Sequence, residues 1–197
     1  LEVYTAWDLG IDDSTAIWFA QVADREYRII DYYENSGAGL DHYVKILRER
    51  DYVYADHYLP HDIQVKELSS GRSRLEMLRG LGVRGRVVPK IAVDDGINAV
   101  RAVLPRCYFD KEKCDRGIEA LRQYKVQFND KTQAFMQRPH HDWTSHGADA
   151  FRYLATMLRD GNERNARQQV ADQSYDIFHP DSNQKGVAEG TSKWLPW

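Results

Sequence analysis

Three aspartates stand where a carboxylate is costly to place. Asp8 ends the run Val3–Asp8, in which Val3, Thr5 and Trp7 alternate with Tyr4, Ala6 and Asp8, the two-residue period of a β-strand. Asp56 follows Tyr52–Ala55, a short stretch expected to be a central strand covered on both faces, and so should stand at that strand's C-terminal end. Asp149 falls early in a helical stretch whose Ala148, Phe151, Leu154, Ala155 and Leu158 form one apolar stripe. It lies about 100° round the helix from Ala148 and can point across the edge of the buried face toward a sheet. Burying a carboxylate costs free energy unless a cation or hydrogen bonds compensate. If the two strands lie side by side, Asp8 and Asp56 emerge at one edge, and Asp149 meets them from the helix. Three converging carboxylates make a hard-oxygen site for Mg²⁺ or Mn²⁺. Each acid taken alone also has a plain explanation: a turn residue for Asp8, a cap for Asp56, the helix dipole for Asp149.

Asp12, Asp13 and Asp62 are secondary candidates. The first two lie in the loop after Asp8, where acids commonly form turns, and Asp62 follows His61 in a position that suits helix capping. His140, His141, Asp142, His146 and Asp149 cluster within ten residues, and His57 and His61 flank Asp56, which raises zinc as a rival metal. His141 and His146 are not at helical i, i+4 spacing, so a supporting hydrogen bond from His146 to a metal carboxylate or to phosphate is the better expectation. Arg84, Arg86 and Lys90, with Arg72, Arg74 and Arg79 before them, are the cations placed to run along a phosphate backbone.

The elements that must position these groups follow from periodicity and turn chemistry. Val3–Asp8 and Thr15–Val22 pair as a hairpin, Tyr27–Tyr33 adds a third strand, and the Asn-Ser-Gly-Ala-Gly stretch 35–39 ends the sheet run. Leu40, Tyr43, Val44 and Leu47 mark a helix face. Beyond Ala55 the pattern becomes alternating: a helix over Arg72–Gly80, a strand over Val83–Pro89, and a helix from Asp94 or Asp95 to Leu104 with Ile97, Val100 and Leu104 inward. A helix over Asp115–Tyr124 follows, then a small hairpin of Val126–Phe128 with Ala134–Gln137, and a last helix capped by Thr144 or Ser145. This order describes an α/β fold, a mixed sheet with antiparallel strands first and parallel strands later, flanked by helices. Residues 161–197 lose periodicity and read as an extended or partly disordered tail, with Trp194 and Trp197 as docking points, beside a folded domain over 1–160.

Composition bounds the function. The chain has 197 residues and a net charge of −3, room for one domain with its own core. Mean hydropathy is −0.66, and no apolar run approaches the ~18 residues of a membrane helix, so a membrane protein is excluded. Cys107 and Cys114 suit neither a disulfide framework nor a zinc ribbon and read as packing residues in a reducing compartment. The charge is segregated: residues 1–62 carry 13 acids and 5 bases, residues 63–125 carry 8 acids and 14 bases. An acidic block beside a basic one suits a protein that holds divalent metal and touches phosphates. The chain starts at Leu1 with a strand, as an excised piece of a longer protein would.

Trp-Asp-Leu-Gly (7–10), Tyr-Ala-Asp-His-Tyr-Leu-Pro-His-Asp (54–62) and Ser-His-Gly-Ala-Asp-Ala-Phe-Arg-Tyr (145–153), with Val-Val-Pro-Lys (87–90) and Asp-Gly-Ile-Asn-Ala-Val-Arg (95–101) between, resemble the nuclease domain of tailed-phage large terminase subunits, in the RNase H-like superfamily. The resemblance spans roughly residues 3–158. It implies metal-dependent cutting of concatemeric double-stranded viral DNA during genome packaging, with the family's acids carried onto Asp8, Asp56 and Asp149. It further implies an N-terminal packaging ATPase on the same full-length chain, portal and small terminase partners, and a place in the host cytoplasm, transiently at the procapsid portal. No Gly-x-x-x-x-Gly-Lys-Ser/Thr loop occurs, so ATP hydrolysis is not expected of this piece. Two ions about 4 Å apart would clamp the scissile phosphate, with Asp8 as the shared ligand. The rival readings are another RNase H-like nuclease such as a junction resolvase, an actin-like ATP-binding module, for which Asp8–Thr15 offers a first phosphate loop, and an idle assembly module.

Overall fold

Alternation along the first strand decides which face of the molecule carries the chemistry. A computed structural model describes residues 1–10, 13–67, 71–129, 134–139 and 142–159, all within the unit Leu1–Asp160. The expected tail, with Trp194 and Trp197, lies outside the described residues, as do Asp12, His140 and His141. Strands β1 (Val3–Asp8), β2 (Ser14–Ala23) and β3 (Glu26–Ser36) form an antiparallel meander. Strand β4 (Tyr54–Leu59) joins β1 in parallel, β5 (Arg86–Val87) joins β4, and β6 (Cys107–Phe109) joins β3. The resulting order is β5-β4-β1-β2-β3-β6, the mixed sheet expected from the sequence. A separate antiparallel hairpin, β7 (Val126–Asn129) and β8 (Ala134–Pro139), follows.

Helices cover both faces. Val3, Trp7, Ile17 and Phe19 pack against Tyr43, Val44 and Leu47 of α1 (Leu40–Glu49) and Leu75 and Leu78 of α2 (Arg74–Gly80). Helix α2 starts at a reciprocal capping box, in which Ser73 Oγ accepts from the Glu76 amide and the Glu76 carboxylate accepts from the Ser73 amide. The opposite face, with Ala6, Ala16, Trp18 and Ala20, packs on α3 (Val93–Val103) and on α5 (145–159), while α4 (Asp115–Gln123) lies beside it. The predicted α5 stripe is buried at every position, Ala148, Phe151, Leu154, Ala155 and Leu158. Each large side chain of that stripe contributes roughly 1.5–3 kcal/mol by leaving water. Asp8 shares its face with Ala6, so it points toward α5.

Four expectations need correction. The strand expected at Tyr52–Ala55 begins instead at Tyr54 and runs to Leu59, and Val53 is exposed; the covered part is His57–Leu59. Only Arg86 and Val87 of the expected strand 83–89 pair in the sheet. Helix α3 is capped at Ala92, not by Asp94 or Asp95, and it buries Gly96, Ala99 and Val103 while Leu104 is exposed. Gly96 faces inward where the Arg152 side chain of α5 lies against α3, and Val100, as expected, packs against the core. Strand β6 carries no sequence signal: three residues are too short to display a period.

Candidate metal and catalytic site

The C-terminal end of β1 is the centre of the site. Asp8 is paired with Ala16 of β2, and its side chain is 18% exposed. Its partner comes from α5. The N-terminus of that helix is fixed by Asp142, whose carboxylate accepts from the Thr144 amide (2.8 Å) and hydroxyl, while the Ala148 amide donates to the Thr144 carbonyl (3.1 Å). Gly147 lets the helix approach the sheet: a Cβ there would stand 2.8 Å from the Tyr32 hydroxyl, and Trp18 Nε1 donates to the Gly147 carbonyl at 2.8 Å. This seating carries His146 to Asp8.

His146 Nδ1 lies 2.9 Å from Asp8 Oδ2, and its Nε2 lies 2.9 Å from Asp13 Oδ2. The hydrogen bond to Asp8, with the charges of Asp8 and Asp13, raises the imidazole to about 9 against the pull of burial. The folded pKa exceeds the unfolded value, so this stabilisation is complete below pH 6.5 and is lost as pH rises through 9. Metal-free wild type should therefore exceed His146→Gln in urea-unfolding free energy by up to about 3 kcal/mol near pH 6, converging above pH 9. A difference that stays constant from pH 6 to 10 would refute the ion pair.

Asp149 projects from the first turns of α5 and is 30% exposed. Burial raises its carboxyl first, and the charge of Asp8 raises it further; Arg152 and His146 work the other way. Arg152 Nη2 approaches Asp149 Oδ1 at 3.1 Å, and the Tyr124 hydroxyl reaches the same oxygen at 3.4 Å. Two carboxylates, one opposing the ionisation of the other at a partly open edge, are hard-oxygen donors fitted to a divalent cation, which would remove the conflict. Among the described residues, no three His, Cys, Asp or Glu side chains already form a metal-holding group.

Asp56 is not at this edge. The parallel register sets Tyr4 beside Asp56 and Ala6 beside Tyr58, with a bulge between the Val3 and Tyr4 pairs. Asp56 is thus the third residue of β4, four positions below the level of Asp8, or about 13 Å along the sheet. Its carboxylate instead receives Arg86 Nε at 3.2 Å. Continuing the same register, Pro60 lies level with Asp8, and the 3₁₀ turn His61–Gln64 begins at that edge. Asp62, in this turn, is 55% exposed, and its Oδ2 lies 4.0 Å from Arg74 Nη2. The other nitrogen of that guanidinium donates to the Leu9 carbonyl at 3.1 Å, next in sequence to Asp8. Among the acids that follow β1 in the chain order, Asp62, in the turn after β4, is thus linked through Arg74 to the backbone beside Asp8. The signal for it in the sequence was Pro60, which ends the strand two residues earlier.

The remaining candidates separate cleanly. His57 is buried on the opposite face, where Trp7 Nε1 donates to Thr5 Oγ1 (2.7 Å) and that hydroxyl meets His57 Nδ1 (2.7 Å). Burial lowers this imidazole to about 4, so it is a packing residue. Arg84, Arg86 and Lys90 are exposed along the β5 edge. Arg152 and Tyr124, which hold Asp149, were not singled out from the sequence; the i, i+3 spacing of Asp149 and Arg152 was the available signal.

No family model matches the sequence, and no curated protein matches it. Solved structures do. The large terminase of one thermophilic bacteriophage superposes with a TM-score of 0.61 at 17% identity, over 80% of this chain and 40% of that one. The large terminase nuclease domain of bacteriophage SPP1, with bound Mn, gives 0.58 at 19% identity over 81% and 87%. The large terminase nuclease of thermophilic phage G20c, with bound magnesium, gives 0.54 at 11% identity over 78% and 80%. The chain thus spans about 40% of the first of these proteins but most of each isolated nuclease domain. Its mixed six-stranded sheet flanked by helices is an α/β fold of RNase H-like type, similar to that of the solved nuclease domains of phage large terminases.

Proposed function

We propose that this chain is a metal-dependent endonuclease that cuts concatemeric double-stranded viral DNA during genome packaging. The observation that carries the reading is the pairing of Asp8 with the N-terminus of α5, where the charge of Asp8 opposes that of Asp149 at an open sheet edge. The fold shared with terminase nuclease domains supports it.

Asp8, Asp62 and Asp149 would hold two Mg²⁺ or Mn²⁺ ions, which when bound supply an activated water and stabilise the leaving 3′ oxygen. Asp8 would be the central ligand, since a strand hydrogen-bonded on both sides fixes it most rigidly. Asp62 and Asp149 would supply the remaining carboxylates. His146 holds Oδ2 of Asp8 and keeps that carboxylate aimed while the site is empty of substrate. Arg84, Arg86 and Lys90 contact phosphates without reading sequence. The full-length protein adds an N-terminal packaging ATPase and works with portal and small terminase subunit in the host cytoplasm. No described helix is long and apolar enough to cross a membrane.

Nicking of supercoiled plasmid tests the reading. Cutting is expected with Mn²⁺ or Mg²⁺, and none with Ca²⁺ or chelator. ATP turnover without cutting would replace the nuclease by the actin-like alternative.

A further inference from the structure

Arg152 is an unusual neighbour for a metal carboxylate. An Asp–Arg pair at i, i+3 on a solvated helix surface is worth only a few tenths of a kcal/mol. Here the Arg152 side chain is 13% exposed and lies in a slot on α3. Gly96 makes that slot. A Cβ at Gly96 would stand 2.3 Å from Arg152 Cδ and 2.4 Å from its Cγ, distances no packed structure tolerates. The Arg152 carbonyl accepts from Thr156 Oγ1 at 2.8 Å, within the same helix. Gly96 sits inside α3, where glycine costs about 1 kcal/mol relative to alanine. Local helix energetics thus oppose a glycine at this place, and the Arg152 side chain supplies the reason for it.

The two contacts that Asp149 makes among the described residues both fall on Oδ1: Arg152 Nη2 from its own helix and the Tyr124 hydroxyl from the end of α4. Two donors on one oxygen restrain rotation of the carboxylate. We propose that Arg152, seated in the slot left by Gly96, is a positioning residue that orients Asp149 for metal, and that Gly96 serves the site through Arg152. This rests on the metal-site reading above. Outer contacts of this kind govern metal affinity by about 10–100-fold.

The test uses the full chain and reads Mn²⁺ binding by calorimetry or electron paramagnetic resonance, beside nicking at saturating Mn²⁺. Arg152→Met should raise the Mn²⁺ half-saturation about 10-fold, with Arg152→Lys between it and wild type. Gly96→Ala should weaken Mn²⁺ binding in the same direction, although alanine favours the helix. On an Arg152→Met background, Gly96→Ala should add no further loss, because both changes act through one side chain. Thermal unfolding of each variant establishes that it is folded. Unchanged or tighter Mn²⁺ binding in folded Arg152→Met, or additive losses in the double variant, would overturn the inference while leaving the nuclease intact. A wild-type chain that neither binds Mn²⁺ nor nicks plasmid would overturn the metal-site reading itself, and the positioning role with it.

Discussion

Metal-dependent cleavage is expected to disappear when Asp8 is replaced by Asn, with the fold retained. The asparagine Oδ1 still accepts from His146 Nδ1, so the contact between β1 and α5 survives in geometry. What is lost is the charge. A shared ligand to both ions underwrites several kcal/mol of transition-state stabilisation, so the rate should fall by about 10³-fold or more. Stability should change far less. Removing the Asp8 charge lets the His146 imidazole fall from about 9, which forfeits part of the ion pair, on the order of 2 kcal/mol. The same change relieves Asp149, whose ionisation the Asp8 charge opposes, and the two effects partly cancel. Circular dichroism and thermal unfolding of the metal-free variant check the fold, and plasmid nicking with Mn²⁺ checks the chemistry. Cleavage near the wild-type rate would sink the assignment.

The second large effect is a contrast between two aspartates only six residues apart. Asp62→Asn should lower cleavage by about 10²–10³-fold, the range associated with removing one electrostatic contributor from an active site. Asp56→Asn should leave cleavage within a few-fold of wild type. Asp56 lies four positions below Asp8 in the register and is paired with Arg86, a 56% exposed side chain. An ion pair with one member that open contributes at most about 1 kcal/mol, so the variant should also unfold close to wild type. Nicking rates of the two variants, measured side by side at saturating Mn²⁺, settle the matter. Loss of activity in Asp56→Asn with full activity in Asp62→Asn would reverse the assignment.

The difference between these two acids comes from strand register, which local sequence does not encode. Tyr52–Ala55 looked like a strand because its residues suit one, and an acid after it looked like the end of that strand. Burial decided otherwise: the covered stretch is His57–Leu59, and the strand starts at Tyr54 with a bulge beside Val3. A bulge inserts one residue and shifts everything after it, and nothing in a single strand's composition reports it. The α3 face failed for a related reason. Ile97, Val100 and Leu104 have the helical spacing of a core stripe, but of these Val100 packs against the core and Leu104 is exposed; the fully buried positions are Gly96, Ala99 and Val103, with Gly96 against the Arg152 side chain of α5.

The sequence by itself determined the α/β class, the three-strand meander, the amphipathic last helix and the special position of Asp8. Those features rest on local periodicity and on the cost of a carboxylate at a strand end, both of which are written residue by residue. Tertiary structure alone decided that Asp56 lies level with Tyr4 and away from Asp8, that His146 bridges Asp8 and Asp13, and that Gly96 admits the Arg152 side chain behind Asp149. Those depend on strand register and on the approach of one helix to another. Register and approach are set by packing across the whole sheet, and no local stretch of chain contains them.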